Sequence, residues 1–189
     1  MASYLNKFSI LLLLGLYIPI LFLGIFDLDE GAFASSSLQM LRDNQYLIPY
    51  LGDDLRLEKP IFTYWVQTFS MTLFGATEFA LRIPSIIASL IWGISFASFV
   101  RKHDNKISKT SIFLNLLTLP GVFIISFAAT ADAFLNLFIT LALINLFDYS
   151  QKPSNRNILK VSFYIALGFL TKGLTIIAIC GPVYFGFVL

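Results

Sequence analysis

Seven ionisable residues lie at the ends of apolar segments or in the loops beside them, where charged groups are placed for chemistry at a membrane surface. They are Asp29, Glu30, Glu58, Lys59, Arg82, Asp132 and Lys172. Carboxylates take protons in general-base catalysis, and basic side chains stabilise phosphate charge. Simpler explanations also exist, because acids favour helix N-termini, basic residues anchor spans at the interface, and neighbouring opposite charges form weak surface pairs. The residue types alone leave both explanations open.

Asp132 begins a polar stripe on an otherwise apolar segment. Asn136 and Thr140 follow it at i+4 and i+8, so the three side chains share one face of a helix. Ionisable groups near membrane spans usually face a cavity or a partner instead of lipid. The alternative is an acid that favours the helix dipole at the head of a packing stripe.

The composition places these residues in a polytopic membrane protein. Of the 189 residues, 57% are hydrophobic and only 13% are charged, which is far more apolar than a soluble domain. A net charge of +2 without a basic face excludes nucleic-acid binding. A single cysteine, Cys180, and a single histidine, His103, exclude a disulfide framework and a histidine-rich metal site within this chain.

We expect five or six membrane helices, because the fourth and fifth of six apolar segments are short for a span. The segments are Phe8–Phe26, Ile83–Val100, Thr110–Ala128, Ala133–Phe147, Leu159–Leu170 and Leu174–Leu189. The first also has features of a signal peptide, with small residues at Ala32 and Ala34. A retained span fits better, because the apolar run is long and acids separate it from those residues.

The charges predict an orientation with the N-terminus in the cytoplasm. Eight of the 13 lysines and arginines then lie in the inner segments, as the positive-inside rule requires. Nine of the 11 acidic residues then lie on the outer side, among them Asp29, Glu30, Glu58 and Asp132. The chemistry is therefore expected on the outer face.

The long outer segment, about residues 27–82, is expected to contain helices that lie along the membrane surface. Its first part can form a helix with Asp29 and Glu30 in the first turn, and a turn-rich passage follows. Pro60 suits the first position of a second helix. An apolar stripe typical of an interfacial helix is then formed by Phe62, Val66, Phe69 and Leu73.

Five motifs occur along the chain in a fixed order. They are DLDEGAFASSSLQML, YLIPYLGDDLRLEKPIFTYW, LFGATEFALRIPS, TADAFLNL and LGFLTKGL. In this order they resemble the N-terminal portion of the polytopic GT-C glycosyltransferases, in particular the lipid A aminoarabinose transferases and the related protein O-mannosyltransferases. The resemblance covers nearly the whole chain and implies an all-α membrane bundle of the GT-C type. Residues 1–189 would then be the N-terminal part of that transmembrane domain, and we expect a truncated chain because it ends within an apolar segment.

The resemblance also implies roles for the acidic pair, the Lys-Pro motif and the acid of the fourth segment. Asp29 and Glu30 match the family's acidic pair, so Asp29 is implied as the general base that takes the acceptor's proton. Lys59 matches the lysine of the Lys-Pro motif and is implied to stabilise the phosphate of the leaving group. Asp132 matches an acid at the active-site cavity. The family often has a basic residue soon after the acidic pair, so the Gly31 and Ala32 found here imply that one phosphate or acceptor contact is absent or comes from elsewhere.

Three further residues have open roles. Arg82 and Lys172 lie at outer ends of spans, where they would hold phosphate or anchor the interface. Glu58 is a candidate ligand for a divalent metal or a group that orients the acceptor, and its alternative is a surface pair with Lys59 or Arg56. No cofactor other than such a metal is expected.

The implied function is transfer of a sugar from a polyprenyl-phosphate donor to a lipid or protein acceptor on the outer face of the bacterial inner membrane. Two other classes remain open from the residues. A secondary transporter would use Asp132 at a midplane site, although no inverted repeat is visible. A non-catalytic lipid-binding subunit would bind the lipid without turnover.

Overall fold

The computed structural model describes residues 2–25, 28–104 and 106–188, and these residues are mainly helical. The helices are α1 (Ala2–Ile20), α2 (Leu28–Asp43), α3 (Phe62–Phe74), α4 (Glu78–His103), α5 (Lys109–Thr118), α6 (Pro120–Phe127), α7 (Asp132–Gln151), α8 (Asn155–Lys172) and α9 (Thr175–Val188). A short antiparallel hairpin, β1 (Tyr50–Leu51) and β2 (Asp54–Leu55), lies in the turn-rich passage between α2 and α3. The predicted all-α architecture is confirmed.

The hydrophobic core is built around α7. This helix packs against α4, α8 and α9, and its largest cluster joins Ala88, Phe134, Phe138 and Ile176. Gly168 of α8 permits the closest approach in this region, because a Cβ at that position would lie 2.1 Å from Ile176 Cδ1. The small residue therefore sets how closely α8 and α9 pack.

Helices α4 and α7 run in the same direction. Near their C-terminal ends, Lys102 Nζ lies 2.8 Å from Asp148 Oδ1. At the opposite end, Arg82 of α4 and the backbone N–H of Ala129, just before α7, both contact Glu30 of α2. The bundle therefore has two ends, and the side chains predicted to do chemistry gather at the end that carries Glu30.

Two described helices, α4 and α7, have the length and composition to cross a membrane, and the α5–α6 pair would be a third if its bent halves form one span. The pair is bent by 78°, so the segment predicted as a span over Thr110–Ala128 is two helices and not one straight helix. Pro120 lacks an N–H, and Leu119 before it is extended with ψ 128°, which ends α5 and begins α6.

The other predicted spans coincide with shorter or less apolar helices. The first predicted span overlaps α1, which has 19 residues; Thr175–Phe187 is apolar but short, and Leu159–Leu170 lies within α8, which does not reach the hydropathy of a span. Two or three candidate spans among the described residues are fewer than the five or six expected. The predicted apolar segments therefore all overlap helices, and the number that cross a membrane stays a prediction.

The apolar stripe predicted for α3 is present: Phe62 and Val66 pack against the core cluster of α7, and the later part of the stripe is exposed. Phe69 is 65% exposed and Leu73 is 60% exposed. The opposite, polar side of α3 is buried against α2, where Gln67 and Thr68 hydrogen-bond to Ser37. Gln67 and Thr68 can be buried there because each finds a partner, and the exposed part of the apolar stripe is left for a membrane or a lipid ligand.

Candidate active site

The carboxylate of Asp29 lies between two cations. It is in the first turn of α2, and its side chain is 43% exposed. Arg56 Nη2 lies 3.5 Å from Asp29 Oδ1, and Lys59 Nζ lies 3.9 Å from Asp29 Oδ2. Both cations come from the loop that enters α3. Folding of this loop over α2 therefore places one carboxylate and two cationic side chains together at an accessible position.

Arg56 is held more firmly than Lys59. Its side chain is 7% exposed, its Nε donates a 2.7 Å hydrogen bond to the hydroxyl of Tyr64, and its guanidinium lies 5.3 Å from the centre of the Phe33 ring. Burial raises the pKa of the Tyr64 phenol, and the hydrogen bond from Arg56 opposes that shift. The Tyr64 hydroxyl therefore acts as a neutral acceptor that orients Arg56 towards Asp29.

Sequence reasoning named Arg56 only as a partner of Glu58. The structure instead directs both Arg56 and Lys59 to Asp29, 27 and 30 residues earlier in the chain. A signal was present, since Arg56 and Lys59 stand three residues apart in a loop that leads into a helix with a buried tyrosine. Recognising that signal required knowing that Tyr64 faces inward.

Glu58 is exposed on the same loop. Among residues 2–25, 28–104 and 106–188, no group of three or more His, Cys, Asp or Glu side chains is arranged to hold a metal ion. The metal role predicted for Glu58 therefore gains no support from the described residues and stays a prediction.

Glu30 and Arg82 form a buried ion pair. The Glu30 side chain is 1% exposed and that of Arg82 is 0% exposed. Arg82 Nε and Nη2 each lie 2.9 Å from a different carboxylate oxygen of Glu30. This is a bidentate contact, which the planar guanidinium favours. Neither side chain is accessible, so the catalytic role predicted for Glu30 and the phosphate-binding role left open for Arg82 stay predictions.

Asp132 and Lys172 form a second pair at the same end of the bundle. Lys172 Nζ lies 2.5 Å from Asp132 Oδ1, and the side chains are 32% and 36% exposed. Asp132 begins α7 and Lys172 ends α8, so each charge favours the dipole of its own helix. Asn136, predicted to continue a polar stripe, donates its amide to the backbone carbonyl of Asp132 at 2.8 Å.

An apolar groove begins next to the charged loop. It has a volume of about 480 Å³ and lies between the outward face of α3 and helices α4 and α7. Its lining includes Phe62, Phe69, Ile87, Phe134 and Leu137. Phe62, one of its lining residues, follows Lys59 by three residues in the chain.

Residues 58–189 match the family model described as dolichyl-phosphate-mannose-protein mannosyltransferase. The chain belongs to this family. The resemblance found in the motifs is thereby confirmed, and the match begins at Glu58, in the loop that carries Lys59. Together with its apolar helices, membership makes the chain an integral membrane protein.

Curated relatives in the mannosyltransferase family include two bacterial enzymes. The undecaprenyl phosphate-alpha-4-amino-4-deoxy-L-arabinose arabinosyl transferase of Wigglesworthia glossinidia brevipalpis is 31% identical over 176 residues, which are 88% of this chain and 31% of that protein. The corresponding transferase 1 of Proteus mirabilis is 30% identical over 179 residues, with the same coverage. The chain thus spans about a third of the length of these relatives.

Solved structures of ArnT from Cupriavidus metallidurans have the same fold. The structure bound to undecaprenyl phosphate aligns with a TM-score of 0.80 at 21% identity, and it covers 100% of this chain and 36% of that one. The apo structure aligns with a TM-score of 0.75, covering 99% and 36%. The predicted GT-C type of membrane bundle is therefore confirmed.

Proposed function

We propose that the protein is a membrane glycosyltransferase that moves a sugar from a polyprenyl-phosphate donor to a lipid or protein acceptor on the outer face. The observation that carries the proposal is the half-exposed Asp29 carboxylate with Arg56 and Lys59 within 4 Å. Glycosyl transfer from a phosphate needs an acid–base group and a cation close to one another. The relatives named for undecaprenyl phosphate and aminoarabinose support the same class of donor.

The proposed chemistry divides the work between Asp29 and Lys59. The acceptor oxygen attacks the anomeric carbon, its proton passes to the Asp29 carboxylate, and the bond from that carbon to the phosphate oxygen breaks. The phosphate leaves with the bonding electron pair, and the Lys59 ammonium stabilises its growing negative charge. Before the donor binds, Lys59 pairs with Asp29 at 3.9 Å, so phosphate binding would draw the lysine away and make the base available.

The apolar groove between α3, α4 and α7 supports a prenyl-lipid donor. Its walls are almost wholly hydrophobic, and one lining residue, Phe62, follows Lys59 by three residues. An isoprenoid chain held there would place its phosphate at the charged loop, and remote binding of this kind lowers the barrier by orienting the reacting groups.

The Asp132–Lys172 pair is proposed as a second polar contact for the donor or acceptor. Both side chains are about one-third exposed, so they remain accessible to a ligand. Ala131, next to Asp132, packs in the same buried cluster as Phe33 and Tyr64, which stand beside the Asp29 group. The proposed location is the bacterial inner membrane with a cytoplasmic N-terminus, supported by the positive-inside distribution of lysine and arginine.

The test compares variants of the protein produced from its native gene, with bound lipids identified by mass spectrometry and transfer measured in membranes. We expect wild type and Asp29→Asn to retain a polyprenyl phosphate or its sugar adduct, and Lys59→Ala to lose it. Asp29→Asn should lower transfer by about 10²–10⁴-fold. Lys102→Ala, the same substitution at an exposed ion pair at the other end of the bundle, should behave as wild type.

The outcomes separate the competing functions. Equal lipid retention by wild type and Lys59→Ala would make Lys59 an interface anchor and contradict the donor site. Retained lipid without sugar turnover in wild type would favour the non-catalytic lipid-binding subunit. Uptake of a solute into vesicles without sugar transfer would favour the transporter.

The orientation has a separate test. The native Cys180 is 2% exposed, so labelling by a membrane-impermeant thiol reagent should come from an engineered cysteine and not from Cys180. We expect Asp53→Cys to react from the outside and Lys106→Cys to react only after the membrane is opened. The reverse pattern would contradict a cytoplasmic N-terminus.

A further inference from the structure

Arg82 joins the start of α4 to the end of the first helical segment. Besides its two contacts with Glu30, its Nη1 donates to the carbonyls of Ile20 at 2.6 Å and Leu23 at 2.5 Å, and its Nη2 donates to the carbonyl of Gly24 at 3.0 Å. Ile20 is the last residue of α1, so its carbonyl has no partner within the helix, and Leu23 and Gly24 lie in the segment that follows. The Arg82 guanidinium therefore donates hydrogen bonds both to backbone carbonyls at and after the end of α1 and to the Glu30 carboxylate of α2.

Glu30 extends the same network to the start of α7. Its Oε1 accepts a 2.8 Å hydrogen bond from the backbone N–H of Ala129. Ala129 precedes Asp132 by three residues, and Glu30 directly follows Asp29 in the chain. The buried pair is thus connected by very short lengths of backbone to both accessible carboxylates at this end of the bundle.

We infer that Glu30 and Arg82 are positioning residues whose buried ion pair fixes the placement of Asp29 and Asp132 for the proposed transfer reaction. The inference rests on the proposed function and assigns these two residues no contact with substrate, because their side chains are 1% and 0% exposed. A displacement of α2 or of the α6–α7 connection would have to break charge-assisted hydrogen bonds in a buried setting.

The presence of an ion pair, and not an apolar pair, at Glu30 and Arg82 supports a role in positioning neighbouring groups more than a role in stability. Buried ion pairs stabilise little more than well-packed apolar residues of the same volume, because removal of both charges from water is costly. An apolar pair would, however, supply no direction, whereas the planar guanidinium binds the two carboxylate oxygens of Glu30 and three carbonyls only in one geometry. The network therefore gives precision of placement.

The test is Arg82→Lys, which keeps the positive charge but replaces the fork of five donors by a single ammonium. We expect kcat for sugar transfer to fall by about 10- to 100-fold, as for a misplacement on the order of 1 Å, while KM for the polyprenyl-phosphate donor stays near the wild-type value. Hydrogen exchange should become faster at the amide of Ala129. Arg101→Lys, the same change at an exposed residue at the far end of α4, should leave both measurements unchanged.

Two results would overturn the inference. A raised KM with unchanged kcat would make Arg82 a direct ligand of the donor, and wild-type kcat with wild-type exchange at Ala129 would leave the pair with no positioning role. If Arg82→Lys does not accumulate, Glu30→Gln serves instead, since its amide oxygen can still accept from Ala129 and the loss of charge should lower kcat without raising KM.

Results that contradict the proposed function differ from results that contradict the positioning role of Glu30 and Arg82. Asp29→Asn with wild-type transfer would remove the base assignment. The exchange of Ala129 in Arg82→Lys would still report whether the pair holds the start of α7.

Discussion

Replacement of Gln67 by leucine tests whether α3 truly turns its polar side inward. Gln67 is 0% exposed, its Nε2 donates a 2.8 Å hydrogen bond to the Ala129 carbonyl, and its Oε1 accepts a 2.7 Å hydrogen bond from the Ser37 hydroxyl. The side chain thus links α3 to α2 and to the connection before α7. Leucine has a similar size but offers neither a donor nor an acceptor.

The expected loss of stability follows from the two groups that lose this partner. An unsatisfied buried donor or acceptor costs about 1–3 kcal/mol, so Ser37 and Ala129 together would cost about 2–6 kcal/mol. The added burial of an apolar leucine offsets about 1.5–3 kcal/mol. We therefore expect Gln67→Leu to lower the free energy of unfolding by about 1–3 kcal/mol.

The assay is unfolding in mixed micelles of the single variants Gln67→Leu and Ser37→Ala and of the double variant. Because the two residues are in contact, the cycle should show a coupling energy of about 0.5–3 kcal/mol. Gln45→Leu, at an exposed position after α2, is the matched control and should change stability little. Unchanged or increased stability of Gln67→Leu with no coupling would refute the burial of the polar side of α3.

Further predictions concern close packing and the support of Arg56. Gly168→Ala should destabilise the protein by about 1–3 kcal/mol through overpacking against Ile176. Gly181→Ala should be tolerated, because no atom lies within 4 Å of the added Cβ. Equal stability of the two variants in micelle unfolding would contradict this packing. Tyr64→Phe removes the acceptor of the Arg56 Nε hydrogen bond and should cost about 1–3 kcal/mol; wild-type stability together with wild-type transfer would show that this hydrogen bond does not support the site.

The positions of α4 and α7 were predictable because length and hydropathy are properties of local sequence. Both helices enclose their predicted apolar segments, and both retain the composition of spans. The bend at Pro120 was missed although the proline is visible, because hydropathy averaged across residues 110–128 is insensitive to one missing N–H. A backbone break within a uniformly apolar run has to be read from its proline and not from its average composition.

The amphipathic periodicity of α3 was also predictable, but its consequence was not. The stripe of Phe62, Val66, Phe69 and Leu73 is present in the helix as expected. Periodicity specifies that two faces differ and does not specify which one meets protein. Here the polar face meets α2, where Ser37 supplies a hydrogen-bond partner, and the first part of the apolar stripe meets α7.

For the candidate site, composition and motif order were enough to predict a membrane protein of this family and to select charged residues that gather at one end of the bundle. Partnership among those charges arose only on folding. Glu30 pairs with Arg82 across 52 residues, Asp29 with Arg56 across 27, and Asp132 with Lys172 across 40. Charge type and helix periodicity are local properties, whereas the distance between two side chains far apart in sequence depends on how whole helices pack, which is why one acid became a buried anchor and its neighbour remained accessible.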